Sequence, residues 1–233
     1  MARPVRTVLV VDDEPKISEV VCSYLRREGY EPVAVATGVA ALEACERRAP
    51  SLVILDLMLP DLPGEEVCRR LRTRSRVPVI MLTARAEDAE AVRGLGLGAD
   101  DYVTKPFSPR QLMARVAAVL RRAAGESEVQ ARRLSFGDGD LEVDGRTAEV
   151  LKRGERVELT PSELRLLMVL AANPGRVYSR DELIERALGS DFDGFDRTVD
   201  AHVKNLRQKI ENDPHEPRYV QTVHGLGYRF ARE

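Results

Sequence analysis

The stretch LVILDLMLP, residues 52–60, begins with an apolar run that ends at an acid, Asp56. Turn signals follow it. Three further runs have the same form: VLVVDDE at 8–14, VPVIMLTA at 77–84 and ADDYVTKPF at 99–107. Short apolar runs bounded by turn or helix signals are typical of buried strands. Because the carboxyl ends of parallel strands line one crevice, we expect the side chains there to lie close together. The predicted pocket contains Asp13, Asp56, Thr83 and Lys105.

Amphipathic helical stretches alternate with these strands. The first has apolar residues at helical spacing from Ile17 to Leu25 and is closed by Gly29. Helices are predicted near residues 16–28, 39–48, 64–73, 87–96 and 109–122. Strands that alternate with helices imply right-handed βαβ units and a parallel sheet covered on both faces. The predicted fold of residues 1–122 is therefore α/β, a flavodoxin-like doubly wound (βα)5 domain.

The sequence pattern changes after residue 122. Residues 123–133, AAGESEVQARR, are small and polar without an apolar period, which is typical of a linker. Short alternating runs then predict a small antiparallel sheet. Three helices and a hairpin are predicted next, from a capping box at Thr160–Glu163, a cap at Ser179, a helical stripe from about Arg197 to Ile210, and turn glycines Gly225 and Gly227. Residues 134–233 are therefore predicted to form an α+β winged helix-turn-helix domain.

Length and composition set limits on the class of protein. A chain of 233 residues favours two domains, and no apolar run is long enough for a membrane span. Cys22, Cys45 and Cys68 include no CxxC pair, so we expect small buried hydrophobes in a reducing cytoplasm rather than disulfides or zinc ligands. The second domain has 15 basic and 19 acidic residues, so any DNA contact must come from a local cluster of basic side chains.

The side chains of the predicted pocket suit a divalent cation and a phosphoryl group. Consecutive acids such as Asp12 and Asp13 are hard oxygen ligands of the kind that Mg²⁺ takes. A carboxylate such as Asp56 can act as a nucleophile and form an acyl phosphate. The Lys105 ammonium and the Thr83 hydroxyl can then stabilise charge on the phosphoryl oxygens. Each residue alone can equally be a turn, cap or surface residue, and only the whole set favours this chemistry.

Residues 7–122 resemble the receiver domain of two-component response regulators. The resemblance rests on the acid pair Asp12-Asp13, Asp56 within LVILDLMLPDLPG, Thr83 within MLTA and Lys105 within DDYVTKPF. It implies that Mg²⁺ is bound by Asp13, Asp56 and the backbone carbonyl of Met58. It also implies that Asp12 helps to hold the ion through water.

The same resemblance implies a switch and a dimer face. Tyr102 matches an aromatic residue that turns inward as Thr83 shifts on phosphorylation. Such receivers dimerise through a face made by their fourth helix, fifth strand and fifth helix, and four residues here match its ion pairs: Asp100, Asp101, Arg115 and Arg122. A further charged pair common in the family falls at Ala91 and Gln111 and is absent, so we expect a weaker dimer.

The helix predicted at 197–210 has one apolar and one polar face. At 100° per residue, one narrow arc is predicted to face the core: Val199, Val203, Leu206 and Ile210. The opposite face has Arg197, Ala201, Lys204, Asn205 and Gln208, with Arg207 at its flank. Basic and amide side chains on one face suit the major groove of DNA, although a solvated surface has the same pattern. The neighbouring hairpin has His224 and Arg229, which can reach the adjacent backbone or minor groove.

Residues 134–233 resemble the effector domain of OmpR/PhoB-type regulators, on the segments LTPSELRLLMVLAANPGRVYSRDELI, RTVDAHVKNLRQKI and VQTVHGLGYRF. The resemblance implies that the third helix reads DNA, that the hairpin is a wing, and that two copies bind direct-repeat half-sites head to tail. The candidate DNA contacts are Arg197, Thr198, His202, Lys204, Asn205, Arg207, Gln208, His224 and Arg229. Many relatives have arginine at the positions of Asn205 and His224, so the resemblance implies neither a guanine preference nor a minor-groove arginine here.

The sequence thus predicts a cytoplasmic two-component response regulator. A sensor histidine kinase phosphorylates Asp56, the receiver dimerises, and the homodimer binds double-stranded promoter DNA. The protein then regulates transcription, with RNA polymerase as a further expected partner. It is expected to promote only its own Mg²⁺-dependent phosphorylation and dephosphorylation, and not to be an enzyme in any other sense.

Two alternatives remain open. One is a constitutive DNA-binding protein with a vestigial receiver, which the intact set of pocket residues disfavours. The other is a phosphatase of the haloacid dehalogenase type. That class uses a second aspartate two positions after its nucleophile, where this chain has Met58.

Overall fold

The computed structural model describes residues 5–83, 98–123, 133–188 and 197–232. The chain divides into two compact units, Met1–Leu120 and Arg121–Glu233. Each unit has a hydrophobic core of its own. Among the described residues, no helix combines the length and the apolar character that crossing a membrane would require.

The first unit is a five-stranded parallel sheet with helices between the strands. Its strands are β1 (Thr7–Val11), β2 (Glu31–Val35), β3 (Leu52–Asp56), β4 (Val79–Thr83) and β5 (Asp101–Thr104), in the order β2-β1-β3-β4-β5. Its helices are α1 (Pro15–Arg27), α2 (Gly38–Arg48), α3 (Gly64–Arg72) and α4 (Pro109–Ala123). This order confirms the predicted flavodoxin-like fold. The helix predicted at 87–96 lies outside the described residues.

The burial of two central strands, β3 and β4, explains why their sequences are almost entirely apolar. Every residue of β3 and of β4 is buried, as expected for parallel strands covered on both faces. On one face, Ile54 and Ile80 belong to a core that also includes Leu25 of α1 and Val116 of α4. Because both faces of these strands are covered, polar side chains at their carboxyl ends lie in the crevice at the edge of the sheet.

The three cysteines are free thiols, and two of them have the predicted burial. Cys22 and Cys68 are buried and Cys45 is partly exposed. Burial raises the pKa of the Cys45 and Cys68 thiols to about 11, so both stay protonated at neutral pH. The thiols of these two residues are therefore poor nucleophiles.

The second unit, in its described residues, contains two small antiparallel sheets and three helices. The first sheet has the order β6 (Arg133–Phe136), β7 (Leu141–Asp144), β8 (Glu149–Lys152) and β9 (Glu155–Arg156). The helices are α5 (Pro161–Ala171), α6 (Arg180–Leu183), which continues as a π-helical turn over Ile184–Leu188, and α7 (Arg197–Ile210). The second sheet has the order β10 (Val177–Tyr178), β12 (Gly227–Phe230) and β11 (Val220–Val223). This is the predicted winged-helix arrangement.

Local capping signals were correct, whereas one strand was missed. Thr160 with Glu163, and Ser179 with Glu182, form capping boxes at the starts of α5 and α6. Strand β10 was not predicted, because a two-residue strand is defined by its partner β12 and not by its own sequence. Gly227 permits this pairing, since a Cβ there would lie 2.1 Å from the Tyr178 carbonyl oxygen and its φ is +141°.

Candidate functional sites

Asp56 and Lys105 meet at the carboxyl end of the parallel sheet. Asp56 is the last residue of β3, and its Oδ2 lies 2.6 Å from Nζ of Lys105, which follows β5. The Lys105 amide donates to the Thr83 carbonyl oxygen (2.6 Å), which fixes the start of this loop beside the end of β4. Asp56 Oδ1 accepts a hydrogen bond from the Met58 amide (3.1 Å). Both Asp56 oxygens therefore have a hydrogen-bond partner, and Asp56 is almost fully buried.

Asp12 shares the same ammonium group. Its Oδ2 lies 2.9 Å from Lys105 Nζ, and its Oδ1 accepts from the Glu14 amide (2.9 Å). Burial raises the pKa of Asp12, against the opposing effect of Lys105. Burial alone would lower the pKa of Lys105, but hydrogen bonds to Asp56 and Asp12 outweigh it and raise the pKa above its usual value. Lys105 is thus a permanent cation between two acids.

Three carboxylates are close enough to bind one metal ion. One oxygen each from Asp12, Asp13 and Asp56 lies within 4.8 Å of the other two, and Asp13 is exposed to solvent. Carboxylate oxygens in a partly open site are the ligands that Mg²⁺ prefers. Met58, the predicted backbone ligand, lies in the loop after β3 and has an exposed side chain. The donor set therefore fits the ion that the sequence predicts.

Thr83 lies on the strand next to that of Asp56, and Tyr102 lies on the strand beyond it. Thr83 ends β4, which pairs with β3, and Tyr102 is in β5, which pairs with β4. Both residues are buried, and the Tyr102 amide donates to Asp101 Oδ1 (2.8 Å). The switch roles of Thr83 and Tyr102 remain predictions.

Two residues between β3 and the start of α3 have structural roles that were not predicted from the sequence. Asp61 accepts hydrogen bonds from the amides of Gly38 (2.7 Å) and Val39 (3.0 Å) at the start of α2, and these bonds hold the pKa of its carboxyl low. Gly64 starts α3 so close to β3 that a Cβ would lie 2.2 Å from the Asp56 carbonyl oxygen. Only the turn residues of LPDLPG hinted at either role.

The residues predicted to form a dimer face have partners within the chain. Asp100 Oδ2 lies 3.1 Å from Arg72 Nη2 and accepts from the Val79 amide (3.0 Å). Arg115 Nη1 lies 3.0 Å from each Asp101 oxygen, and this pair is buried. An ion pair across a dimer would require these acids to exchange their present partners. The Arg122 side chain lies outside the described residues.

Helix α7 has the predicted core face but a narrower exposed face. All four residues of the predicted arc are buried: Val199, Val203, Leu206 and Ile210. Lys204 and Gln208 are exposed, whereas Ala201, His202 and Asn205 are buried. His202 lies beside Leu206 on the helical wheel, at the edge of the core arc, which accounts for its burial. Asn205, which was predicted on the exposed face, is therefore buried, and so is the candidate DNA contact His202.

The hairpin supplies exposed groups, and one helix residue has an unexpected role. His224 and Arg229 are exposed, with Arg229 Nε donating to Gln221 Oε1 (3.0 Å). Arg207, predicted as a DNA contact, instead directs its guanidinium to acceptors on β11. The side chains of Arg197 and Thr198 lie outside the described residues.

Comparisons with known proteins match both units. Residues 8–117 match the family profile of the response regulator receiver domain, and residues 154–230 match that of the transcriptional regulatory protein, C terminal. Sensory transduction protein RegX3 of Mycolicibacterium smegmatis is 46% identical over 223 residues, which cover 96% of this chain and 98% of that protein. DNA-binding response regulator MtrA of the same organism is 46% identical over 222 residues, 95% of each chain.

Solved structures show the same likeness. Response regulator DrrB, described as a Thermotoga maritima OmpR/PhoB homolog, is 36% identical, with a TM-score of 0.51 over 98% of this chain and 100% of that one. A cysteine-to-serine mutant of RitR has a TM-score of 0.81 over the same shares at 22% identity, which is a likeness in fold alone. This chain belongs to the OmpR/PhoB family of two-component response regulators, transcription regulators in which a receiver domain precedes a DNA-binding domain.

Proposed function

We propose that a sensor histidine kinase phosphorylates Asp56, and that the phosphorylated chain binds directly repeated promoter sites as a homodimer. The observation that carries this proposal is the Lys105 ammonium 2.6 Å from Asp56 and 2.9 Å from Asp12, at the end of the sheet. A cation between two buried acids can form a charge-assisted hydrogen bond with an oxygen of a phosphoryl group added to Asp56.

The residues can perform the transfer as follows. A carboxylate oxygen of Asp56 forms a bond to the phosphorus of the kinase phosphohistidine while the P–N bond breaks, and the released imidazole nitrogen takes up a proton. Lys105 neutralises charge on one phosphoryl oxygen, and the Thr83 hydroxyl donates to another. Water then attacks the phosphorus, the bond between phosphorus and the Asp56 oxygen breaks, and inorganic phosphate leaves. This step restores the Asp56 carboxylate, so the chain turns over only its own modification.

A metal ion would complete this charge balance. Asp13, Asp56 and the Met58 carbonyl would bind Mg²⁺, with Asp12 contributing through water. When bound, the ion would offset the negative charge that the three acids and the phosphoryl group bring together. The three carboxylates, with one oxygen each within 4.8 Å of the others, support the acidic part of this assignment.

Phosphorylation would act as a population shift. The phosphorylated form would favour a conformer in which Thr83 moves toward the phosphoryl oxygens and the Tyr102 ring, already buried in this structure, shifts with it. That conformer would present a dimer face with four charged residues: Asp100, Asp101, Arg115 and Arg122. Dimerisation would raise the local concentration of two DNA-binding domains.

DNA recognition would use α7 in the major groove and the hairpin beside it. Lys204 and Gln208 are the exposed candidates on α7, and His224 and Arg229 those on the hairpin. Arg197 and Thr198 would contact DNA from the first turn of α7, and His202 and Asn205 would do so only after becoming exposed.

The proposed organisation follows from these roles. Residues 1–122 would be the receiver, 123–133 the linker and 134–233 the DNA-binding domain. The protein would act in the cytoplasm, where promoter DNA and the kinase phosphohistidine are both accessible. RNA polymerase would be its partner at the promoter.

The test replaces Asp56 by asparagine. With acetyl phosphate and Mg²⁺, the wild-type chain should take up one phosphoryl group and gain affinity for promoter DNA, whereas Asp56→Asn should do neither. Asp138→Asn is the matched control, because Asp138 is exposed and has φ 55°, which asparagine tolerates. Acetyl phosphate that still raises DNA affinity in Asp56→Asn would remove Asp56 from the mechanism. Equal DNA binding with no labelling of wild type would favour the constitutive DNA-binding protein instead.

A further inference from the structure

We propose that Arg207 is a positioning residue that sets the angle of the β11–β12 hairpin, and that it does not itself contact DNA. The inference rests on the proposed function of the hairpin as a DNA-contacting wing. It reassigns a residue whose place on α7 suggested direct DNA contact.

The guanidinium of Arg207 spans both strands of the hairpin. Its Nε donates to the Val220 carbonyl oxygen (2.8 Å) and its Nη2 to Thr222 Oγ1 (2.8 Å), both on β11. The guanidinium carbon also lies 5.6 Å from the centre of the Tyr228 ring on β12. Thr222 and Tyr228 are cross-strand partners, so one side chain of α7 contacts both strands at the same level.

A second side chain of α7 secures the hairpin from the same face. Asp200 lies seven residues before Arg207, two helical turns, and its Oδ1 accepts from the Tyr228 hydroxyl (2.7 Å). The same oxygen accepts from Arg180 Nε (2.8 Å), which ties α6 to this contact. Burial and the hydrogen bond to Asp200 raise the pKa of Tyr228 to about 12, so its hydroxyl remains a donor at neutral pH. The hairpin thus has two anchors on one helix.

The surroundings of Arg207 suit an internal anchor better than a phosphate contact. Arg207 is half-buried, and burial lowers its pKa from the usual arginine range. Its planar fork matches two acceptors at once, which a lysine ammonium on a flexible stem cannot reproduce. His224 lies only two residues beyond Thr222, so a change of angle at Thr222 moves the hairpin tip directly.

The experiment is a double-mutant cycle in full-length phosphorylated protein, read as affinity for a promoter fragment. Arg207→Lys keeps the charge and loses the fork, and should weaken binding about tenfold, the effect of one charge-assisted hydrogen bond. In a background with His224→Ala and Arg229→Ala, the same change should cost almost nothing more, because Arg207 acts through those residues. Lys204→Gln, on the exposed face, is the control and should cost the same in both backgrounds.

A second readout separates positioning from loss of structure. Hydroxyl-radical footprints of Arg207→Lys should lose protection under the hairpin and keep it under α7, with an unchanged unfolding midpoint. Thr222→Val removes the acceptor from the other side and should reproduce the effect if Arg207→Lys does not fold. Equal losses in both backgrounds, or uniform loss of protection, would overturn the inference. Failure of wild type to bind promoter DNA would overturn the proposed function as well.

Discussion

Gly64 shows how closely the backbone approaches the proposed acceptor. Its amide donates to the Leu57 carbonyl oxygen (2.9 Å), which closes the loop between β3 and α3. A Cβ at this position would meet the Asp56 carbonyl oxygen at 2.2 Å and the Leu57 Cα at 2.8 Å. Both are backbone atoms of the strand end, so the clash can be relieved only by moving the acceptor or the helix.

Gly64→Ala should therefore impair phosphorylation more than its conservative chemistry suggests. We expect the free energy of unfolding to fall by about 2 kcal/mol. The rate of labelling by acetyl phosphate should fall at least about tenfold, because a small displacement of the acceptor has a large kinetic effect. The control is Gly29→Ala, which has positive φ but no atom within 4 Å of the new Cβ. Gly29→Ala should lose some stability and keep normal labelling; normal labelling of Gly64→Ala would contradict the argument.

The convergence of Asp56 and Lys105 could be predicted, whereas the contacts of Gly64 and Asp61 could not. The first follows from a general rule, that parallel strands end on one edge of a sheet. Asp61 caps α2 from 22 residues away, and its sequence neighbours give no sign of that partner. The contacts of Arg207 with β11 could not be predicted for the same reason, because a helical wheel gives the direction of a side chain and not the acceptors it meets.

At the element scale, Asp140 joins the first antiparallel sheet to the hairpin. Its carboxylate contacts the Lys152 ammonium, the Tyr219 hydroxyl and Arg153 Nε, the last at 2.9 Å. Hydrogen bonds from Lys152, Tyr219 and Arg153 hold the pKa of Asp140 well below its usual value. These donors come from β8, from the turn after it and from the residue just before β11, so the carboxylate links the two sheets of this unit.

Asp140→Asn should lower the free energy of unfolding of the second unit by about 2 kcal/mol at neutral pH, since hydrogen bonds to a charged group are lost. A lowered folded-state pKa gives stability that is present above the unfolded pKa, near 3.8, and lost as pH falls toward the folded value. The difference between wild type and variant should therefore shrink below about pH 4. Hydrogen exchange of the β7 and β11 amides in the full chain measures this difference in stability, with Asp138→Asn as the control. A difference that persists unchanged at acid pH would show that the carboxylate charge is not its cause.

Elements with local signals were predictable, and elements defined by partners were not. The capping boxes at Thr160 and Ser179 depend on residues three positions apart, so the sequence specifies them directly. The third strand of the hairpin sheet depends on Tyr178 meeting Tyr228, fifty positions later. The burial of Asn205 similarly depends on what packs over α7. The spacing of apolar residues along α7 does not specify this packing.

In the molecule as a whole, the two units have separate cores, and each has a proposed task of its own. The proposed receiver chemistry involves Asp56, and the proposed DNA contacts involve α7 and the hairpin. Phosphorylation can affect DNA binding without altering any DNA contact if it only brings two copies together. Such a mechanism predicts that the gain in affinity depends on the geometry of the two half-sites rather than on their sequence.

The spacing of half-sites tests this mechanism directly. On a direct repeat, phosphorylation of wild type should raise affinity about a hundredfold, since the second half-site is bound at high effective concentration. Inserting about five base pairs turns one half-site to the opposite side of the duplex, half a helical turn, and should abolish most of the gain. Binding to a single half-site should respond little to phosphorylation in every case. An equal gain on the single and the shifted sites would mean that phosphorylation changes each DNA-binding domain itself, because two copies held in one dimer cannot reach opposite sides of the duplex with equal ease.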